Sequence, residues 1–275
     1  MSKEIDFGTS VNTLYFTNRC NLACTYCYEV LDSVEKQVMA KDKIEESIHE
    51  VISREPIDKQ TTFVLFGGEP LLEWDNVQHA MQYAYSLKKN ISFLLITNGI
   101  LLLDKKILLS VANNFFYRKK ILTIEISFDG IGNTERIYKN GEQSTDKVLS
   151  VFNILKANNM PFNIRYTINK NNVISFKEDI LSLIEIFNPT RLVTSIAYSV
   201  LNKYEIKKIE IFKIELFKLW NEGKITTPIC SFFCDNCDGC SSTKENKSYF
   251  SNDGNIRHMK MTENHELFND FKKKK

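Results

Sequence analysis

The residues of this chain that most directly indicate chemistry are its seven cysteines. They form two clusters separated by about two hundred residues, namely Cys20, Cys24 and Cys27, and then Cys230, Cys234, Cys237 and Cys240. An odd number of cysteines in two tight groups is not the pattern of a disulfide framework and favours metal ligation. The sequence therefore predicts one metal-binding segment in each cluster.

The first cluster is informative because it contains only three thiols. A structural zinc site uses four protein ligands, and no fourth Cys or His lies nearby in the sequence, His49 being the closest. A four-iron cluster normally takes four cysteines, so three would leave one iron open. That iron could chelate the amino and carboxylate groups of a small molecule. A zinc site remains the alternative at this point.

A second motif, Gly67-Gly68-Glu69-Pro70, follows the short apolar run 61–66. The two glycines permit a close approach of the backbone to a ligand. Free backbone groups there could meet a charged amino group, and Glu69 adds a negative charge. The alternative is that Gly-Gly only makes a turn before the next helix.

Two further polar motifs end apolar segments, and they are Thr97-Asn98-Gly99 and Ser127-Phe128-Asp129-Gly130. Asn98 belongs either to a ligand site or to a simple polar turn. Arg136 is the nearest arginine after the second motif, and an arginine can bind a carboxylate through two hydrogen bonds. Its alternative is a surface charge. Arg165 either contacts a ligand or pairs with Glu125, and we favour the pair.

Strands and helices must bring these motifs together, and the hydrophobic periodicity predicts where they lie. Strands are predicted at 12–17, 61–66, 91–97, 121–128, 162–168 and 191–198, and helices at 43–53, 71–88, 104–116, 145–157, 175–187 and 204–221. Asp104 is a predicted N-cap. Six alternating βα units indicate an α/β fold with a parallel sheet. All the motifs then lie at carboxyl ends of strands, where βα folds place their active sites.

Two of these strands alternate between apolar and polar residues. In 123–129, the polar set is Thr123, Glu125, Ser127 and Asp129, and in 162–169 it is Asn163, Arg165, Thr167 and Asn169. Strands of a flat sheet covered on both faces would be apolar throughout. The alternation favours a curved, open barrel with a polar lumen over a flat sheet or an exposed edge. Glu125, Asp129 and Tyr198 are candidate lumen residues, and no catalytic base or hydrogen donor is assigned.

Taken together, these motifs resemble the radical S-adenosylmethionine superfamily. Cys-x3-Cys-x2-Cys after a first strand is its signature, and Tyr26 matches the aromatic residue before the third cysteine. Tyr28-Glu29 resembles the subgroup that contains anaerobic sulfatase-maturing enzymes and peptide maturases. The resemblance covers roughly residues 10–200. It implies a partial (β/α)6 TIM-type barrel with a small Cys-rich C-terminal extension.

The resemblance also implies cofactors and roles. Cys20, Cys24 and Cys27 would hold an open-site [4Fe-4S] cluster that binds S-adenosyl-L-methionine. The motif Gly67 to Pro70 would bind its amino group, Asn98 would lie near it, and Ser127 with Arg136 would hold its carboxylate. The implied chemistry is reductive cleavage to a 5′-deoxyadenosyl radical, which abstracts a hydrogen atom.

The second cysteine cluster marks a change of pattern. Periodicity stops near Gly223, which predicts a barrel domain at 1–222 and a metal-binding extension at 223–275. The extension resembles the SPASM/twitch-type extension of peptide-modifying members, although His258 stands where they usually have cysteine. It is short, and its four cysteines support one auxiliary iron–sulfur cluster, with zinc as the alternative. Residues 252–255 predict a hairpin tip.

The predicted function is a maturase acting on a precursor peptide, with a low-potential electron donor of flavodoxin or ferredoxin type. Alternatives are sulfatase-type oxidation of Ser or Cys and a zinc-stabilised scaffold without catalysis. A net charge of +2 does not indicate nucleic acid. The absence of a signal peptide or spanning segment predicts a cytoplasmic protein without membrane contact. Few residues precede the first strand, so we expect no separate N-terminal recognition domain.

Overall fold

The computed structural model describes residues 10–27, 37–88, 90–132, 135–197, 201–230, 248–250 and 256–258. Its strands are β1 (Ser10–Tyr15), β2 (Thr61–Phe66), β3 (Ile91–Thr97), β4 (Leu122–Phe128), β5 (Asn163–Ile168), β6 (Arg191–Ile196), β7 (Ile229–Cys230), β8 (Ser248–Phe250) and β9 (Ile256–His258). Its α-helices are α1 (Lys41–Arg54), α2 (Trp74–Leu87), α3 (Lys105–Ala112), α4 (Phe115–Arg118), α5 (Thr145–Ala157), α6 (Phe176–Phe187) and α7 (Lys203–Asn221).

Strands β1 to β6 pair in parallel, each with the next strand along the chain. Parallel neighbours need crossover connections, and helices supply them between successive strands. The six strands curl into a half-barrel. The predicted α/β fold with a partial barrel is therefore confirmed.

The two faces of the sheet differ as the alternation predicted. On one face, Ile124 and Ile126 of β4 and Ile164 of β5 are fully buried in the apolar core beneath the helices. On the other face, Glu125 lies opposite Asn163, and Ser127 lies opposite Arg165. Neighbours in register share a face, so this polar row lines the inner side of the curve.

Two predicted helices begin or break differently from the periodicity. The segment predicted at 71–88 starts as a 3₁₀ turn, Pro70–Glu73, before α2. The segment predicted at 104–116 divides into α3 and α4 because the Asn114 side chain accepts the Phe116 N–H at 3.0 Å and starts a new helix. The predicted cap is confirmed, since Asp104 accepts from Lys106 N–H at 2.7 Å.

Short strands extend the sheet at both edges. β7 pairs in parallel with β6, and β8 pairs in parallel with β1. β8 and β9 are antiparallel and flank the predicted hairpin tip at 252–255, which lies outside the described residues. None of the helices described here is long and apolar enough to cross a bilayer.

Candidate cofactor site

The loop that follows β1 carries the three cysteines of the first cluster. Cys20, Cys24 and Cys27 are each partly exposed, and none is in a disulfide. The loop is held against the segment after β4, because Ala23 N–H donates to Ile137 O at 2.7 Å. The predicted placement of the triplet at the carboxyl end of β1 is therefore observed.

The donor set of this loop fits an iron–sulfur cluster. Burial raises the pKa of Cys20 to about 12 and also raises the pKa of Cys24, so the thiolates need a compensating cation. Cys20 Sγ accepts Leu22 N–H at 3.4 Å and Asn98 Nδ2–H at 3.8 Å, as a thiolate ligand would. Among the described residues, no three His, Cys, Asp or Glu side chains converge on a single-ion site.

Gly67 and Gly68 are required by a backbone contact. A Cβ on Gly67 would lie 2.6 Å from Thr17 O, and one on Gly68 would lie 2.4 Å from Arg19 O. Gly68 N–H donates to Thr17 O at 2.7 Å, and Glu69 N–H donates to Arg19 O at 2.8 Å. The close approach expected towards a ligand is thus an approach to the start of the cysteine loop. Two of the motif's backbone N–H groups are used there.

The Glu69 carboxylate is completely buried and ties the end of β2 to the end of β3. It accepts Leu71 N–H at 2.9 Å, the Thr97 hydroxyl at 2.7 Å and Asn98 N–H at 2.8 Å. Burial raises the pKa of Glu69, and these hydrogen bonds oppose the rise. Pro70 is buried at the start of the 3₁₀ turn.

Asn98 connects the β3 end to the cysteine loop. Its side-chain N–H donates to Asn21 Oδ1 at 2.7 Å and to Cys20 Sγ at 3.8 Å, while its Oδ1 accepts Ile100 N–H at 3.0 Å. The sequence assigns Asn98 either to a ligand site or to a simple polar turn, and the structure shows features of both. It shapes a turn and touches a predicted cluster ligand.

Asp129 is the centre of a second buried group, at the end of β4. Its carboxylate accepts the Tyr26 hydroxyl at 2.5 Å and Arg136 Nε–H at 2.8 Å. The Arg136 guanidinium lies 5.8 Å from the centre of the Tyr26 ring and donates from Nη1 to Cys24 Sγ at 3.8 Å. Arg136 is therefore a largely buried partner of the cysteine loop, with its side chain 13% exposed, and not a surface charge.

The polar row on the inner face contains a close ion pair. Arg165 Nε and Glu125 Oε1 are 2.5 Å apart, so the pairing favoured from the sequence is confirmed. Ser127 is 8% exposed and lies beside Arg165 in the strand register. The strand register thus places Arg165 beside Ser127, whereas the Arg136 side chain contacts Asp129 and Cys24.

Sequence reasoning missed two asparagines of the site. Asn172 donates through Nδ2 to Asp129 O at 2.7 Å and to Thr167 O at 2.8 Å, which joins the ends of β4 and β5. Asn21 accepts from Asn98 within the cysteine loop. The signal that was available for Asn172 is its spacing from Asn169, whose N–H it accepts at 2.7 Å in a tight turn.

Several of the predicted site residues lie outside the described residues, or are described only by their position in a strand. Tyr198, Tyr28, Glu29, Cys234, Cys237 and Cys240 are not among the described residues, and Cys230 and His258 are placed only as positions in β7 and β9. Their predicted roles stay predictions, as does the division at 222/223.

A protein-family model described as the Radical SAM superfamily matches residues 14–183, from the end of β1 into α6. The match includes all the motifs at the carboxyl ends of the strands, which form the rim of the half-barrel. The chain belongs to the Radical SAM superfamily. Members of this superfamily are enzymes that use a [4Fe-4S] cluster and S-adenosylmethionine. The predicted enzyme class and cofactor pair are confirmed at the level of the family.

Curated relatives of this Radical SAM chain include modifying enzymes. It is 24% identical to the radical SAM cyclopropyl synthase TigE of Paramaledivibacter caminithermalis, over 69% of this chain and 42% of TigE. It is 29% identical to a serine-type anaerobic sulfatase-maturating enzyme of Bacteroides thetaiotaomicron, over 54% of this chain and 37% of the relative. The chain therefore spans less than half the length of these two relatives.

Solved structures share the fold. Native anSMEcpe with bound AdoMet superposes with a TM-score of 0.72 at 20% identity, covering 93% of this chain and 75% of that one. Streptococcus suis SuiB bound to S-adenosylmethionine gives a TM-score of 0.66 at 15% identity, over 90% of this chain and 59% of SuiB. At these identities the likeness supports the half-barrel and nothing finer.

Proposed function

We propose that this chain is a peptide-modifying radical S-adenosylmethionine enzyme that acts on a ribosomally made precursor peptide. The observation that carries the proposal is the convergence of three strand ends, those of β2, β3 and β4, on the cysteine loop that follows β1. Asn98 reaches Cys20 from β3, and Arg136 reaches Cys24 from the segment after β4. Gly68 and Glu69 bind the start of the same loop from β2. These contacts support one site, at the carboxyl ends of the strands, for the cluster and S-adenosylmethionine.

In this proposal, Cys20, Cys24 and Cys27 hold the cluster, and the rim motifs bind the cofactor. Ser127 with Arg136 faces the carboxylate, and the strand end at Gly67 to Pro70 faces the amino group. When bound, the cluster and S-adenosylmethionine together supply a 5′-deoxyadenosyl radical that removes a hydrogen atom from the substrate. The chain's own contribution is to bind, orient and exclude water. A flavodoxin- or ferredoxin-type donor delivers the electron.

The inner face of the half-barrel offers the space for a peptide. Its residues on β1 to β3, such as Val64 and Leu94, are partly exposed, whereas the helix-covered face is buried. Among structures with this fold, anSMEcpe is known with bound AdoMet and Kp18Cys peptide, at a TM-score of 0.70. The second cysteine cluster, with Cys230, Cys234, Cys237 and Cys240, is proposed to hold an auxiliary iron–sulfur cluster.

The first experiment measures cofactor cleavage. Anaerobically reconstituted protein with dithionite and S-adenosylmethionine should release 5′-deoxyadenosine, measured by liquid chromatography. Cys24→Ala should abolish release, whereas Cys237→Ala, which spares the triplet, should retain it. Two four-iron clusters would contain about eight irons per chain. Zinc without iron, or iron-replete protein without product, would refute the proposal.

The second experiment addresses the substrate. The reconstituted enzyme should change the mass of a short precursor peptide encoded beside its gene, and the same incubation should form 5′-deoxyadenosine. Sulfatase-type oxidation is the second candidate, favoured by the 29% identity to the serine-type maturating enzyme. Oxidation of a Ser or Cys in a sulfatase-derived peptide, with the encoded peptide left unmodified, would replace the first candidate by the second.

A further inference from the structure

Arg136 lies between a buried carboxylate and a predicted cluster ligand. Its Nε–H donates to Asp129 Oδ1 at 2.8 Å, and its Nη1 donates to Cys24 Sγ at 3.8 Å. The side chain is 13% exposed, and that of Asp129 is 1% exposed. A guanidinium presents its donors in a fixed planar fork, so one residue can contact both groups at once.

The position of this guanidinium is fixed from several directions. The Tyr26 ring packs 5.8 Å from it, and the Tyr26 hydroxyl holds the other oxygen of Asp129. The Arg136 carbonyl accepts the Ser144 N–H at 3.0 Å and the Ser144 hydroxyl at 2.9 Å. Asn172 binds the Asp129 carbonyl at 2.7 Å. Such a charge need not reorganise when the charge on its neighbour changes.

A fixed positive charge favours whichever neighbouring state is more negative. The positive end of the Arg136–Asp129 pair is the end that contacts the cysteine loop, since the guanidinium donates to Cys24 Sγ at 3.8 Å. The Arg136–Asp129 pair therefore acts on Cys24 as a net positive influence. Hydrogen bonds to sulfur and nearby charges are among the factors that set the potential of an iron–sulfur cluster.

We propose that Arg136, positioned by Asp129 and Tyr26, raises the reduction potential of the cluster held by Cys20, Cys24 and Cys27. On one-electron reduction the cluster and its thiolates gain one negative charge, and the guanidinium at Cys24 Sγ stabilises that state. This role is separate from the predicted contact of Arg136 with the cofactor carboxylate. It rests on the proposed assignment of the triplet as the cluster site.

The test is a redox titration of the anaerobic protein without S-adenosylmethionine, followed by electron paramagnetic resonance. Arg136→Gln should lower the midpoint potential by about 59 mV or more, the one-electron equivalent of a tenfold change in the reduction equilibrium. Arg19→Gln is the matched control. Arg19 adjoins Cys20, but its side chain is 47% exposed and pairs with Glu73 at 3.0 Å, so its charge is screened. Its variant should keep the wild-type potential.

Each outcome decides the matter. An unchanged potential in Arg136→Gln combined with weaker binding of S-adenosylmethionine would reduce Arg136 to a cofactor ligand and overturn the proposal. Equal shifts in the Arg19 and Arg136 variants would do the same. If Arg136→Gln retains no iron, the double variant Asp129→Asn/Arg136→Met decides, because it leaves no buried charge unpaired. It should show a smaller fall, and a wild-type potential there contradicts the proposal. Wild-type protein without an open-site cluster would instead refute the proposed function itself.

Discussion

Two buried carboxylates, Glu69 and Asp129, hold residues that contact the cysteine loop, and they do so with different partners. Among the described residues, Glu69, at the end of β2, accepts from uncharged donors, which are two backbone N–H groups and the Thr97 hydroxyl. Asp129, at the end of β4, pairs with the Arg136 guanidinium as well as the Tyr26 hydroxyl. Glu69 reaches the cysteines through Asn98, whereas Asp129 reaches them through the arginine and the tyrosine.

The two carboxylates differ in whether a charged side chain binds them directly. An anchor of neutral donors fixes turns without a direct ion pair; burial raises the pKa of Glu69, and the hydrogen bonds and the more distant Arg136 charge oppose that rise. An anchor built around a guanidinium positions a counter-charge beside Cys24. We therefore expect changes at the Glu69 side to affect stability and its pH dependence, and changes at the Asp129 side to affect the cluster as well.

The largest effect is expected from Gly68→Ala, which breaks the Glu69 side at its backbone. The new Cβ would lie 2.4 Å from Arg19 O, whose position is fixed by a hydrogen bond from Glu69 N–H. We expect a loss of more than about 4 kcal/mol in the free energy of unfolding, measured by urea titration of the apo protein. Gly132→Ala, where a Cβ meets nothing within 4 Å, is the control and should be near neutral. Similar losses in both variants would contradict the backbone contact.

Asp129→Ala should have the next largest effect, a loss of about 3 kcal/mol in the free energy of unfolding, because it leaves the Arg136 charge buried without its partner. The same urea titration measures it. The double variant Asp129→Ala/Arg136→Met removes both charges and should recover part of the loss. A double variant less stable than the single one would mean that the pair itself stabilises the rim, contrary to this expectation.

Glu69→Gln should lower the free energy of unfolding by about 2 kcal/mol, because the NH₂ group of the new amide must then face one of the donors that now bind the carboxylate. The raised pKa of Glu69 means that the folded protein holds this proton at a pH where the unfolded chain has released it. Wild-type stability should therefore fall as the pH rises from the unfolded value of about 4.5 through the folded pKa. Glu69→Gln lacks this decline. The difference in the free energy of unfolding between the wild type and Glu69→Gln should therefore narrow as the pH rises over that range. A difference that widens with rising pH would contradict the sign.

Tyr26→Phe should have the smallest effect, about 1 kcal/mol, since Asp129 loses one donor but keeps Arg136. The ring remains beside the guanidinium. Tyr83→Phe on α2, whose ring stacks against His79, is the matched control. Thermal unfolding of both variants measures the difference, and equal shifts would show that the hydroxyl of Tyr26 is unimportant.

Much of the fold could be predicted because its signals are local. The βα alternation gave all six barrel strands, and the period of two in β4 and β5 gave the polar inner face. The split between α3 and α4 was missed because periodicity continues across the cap at Asn114. Motif spacing located the rim, but not what each residue contacts.

The contacts could not be predicted because they join residues far apart in the chain. The glycines at 67 and 68 read as ligand-facing, yet they meet the backbone at Thr17 and Arg19. Asp129 was a lumen candidate, and nothing local indicates that it binds Tyr26, about a hundred residues earlier. Only the register and twist of the assembled sheet determine such pairs.

The pairing of each barrel strand with its successor has a consequence for biosynthesis. From β1 to β6, the order of the sheet is the order in which the ribosome delivers the strands, so the half-barrel can grow one unit at a time from its first edge. The cysteine loop follows the first strand, but Asn98 and Arg136 are translated only after two and three further strands, respectively. The loop therefore leaves the ribosome before the residues that contact it are made, and β8, which pairs with β1, is translated only after all six barrel strands.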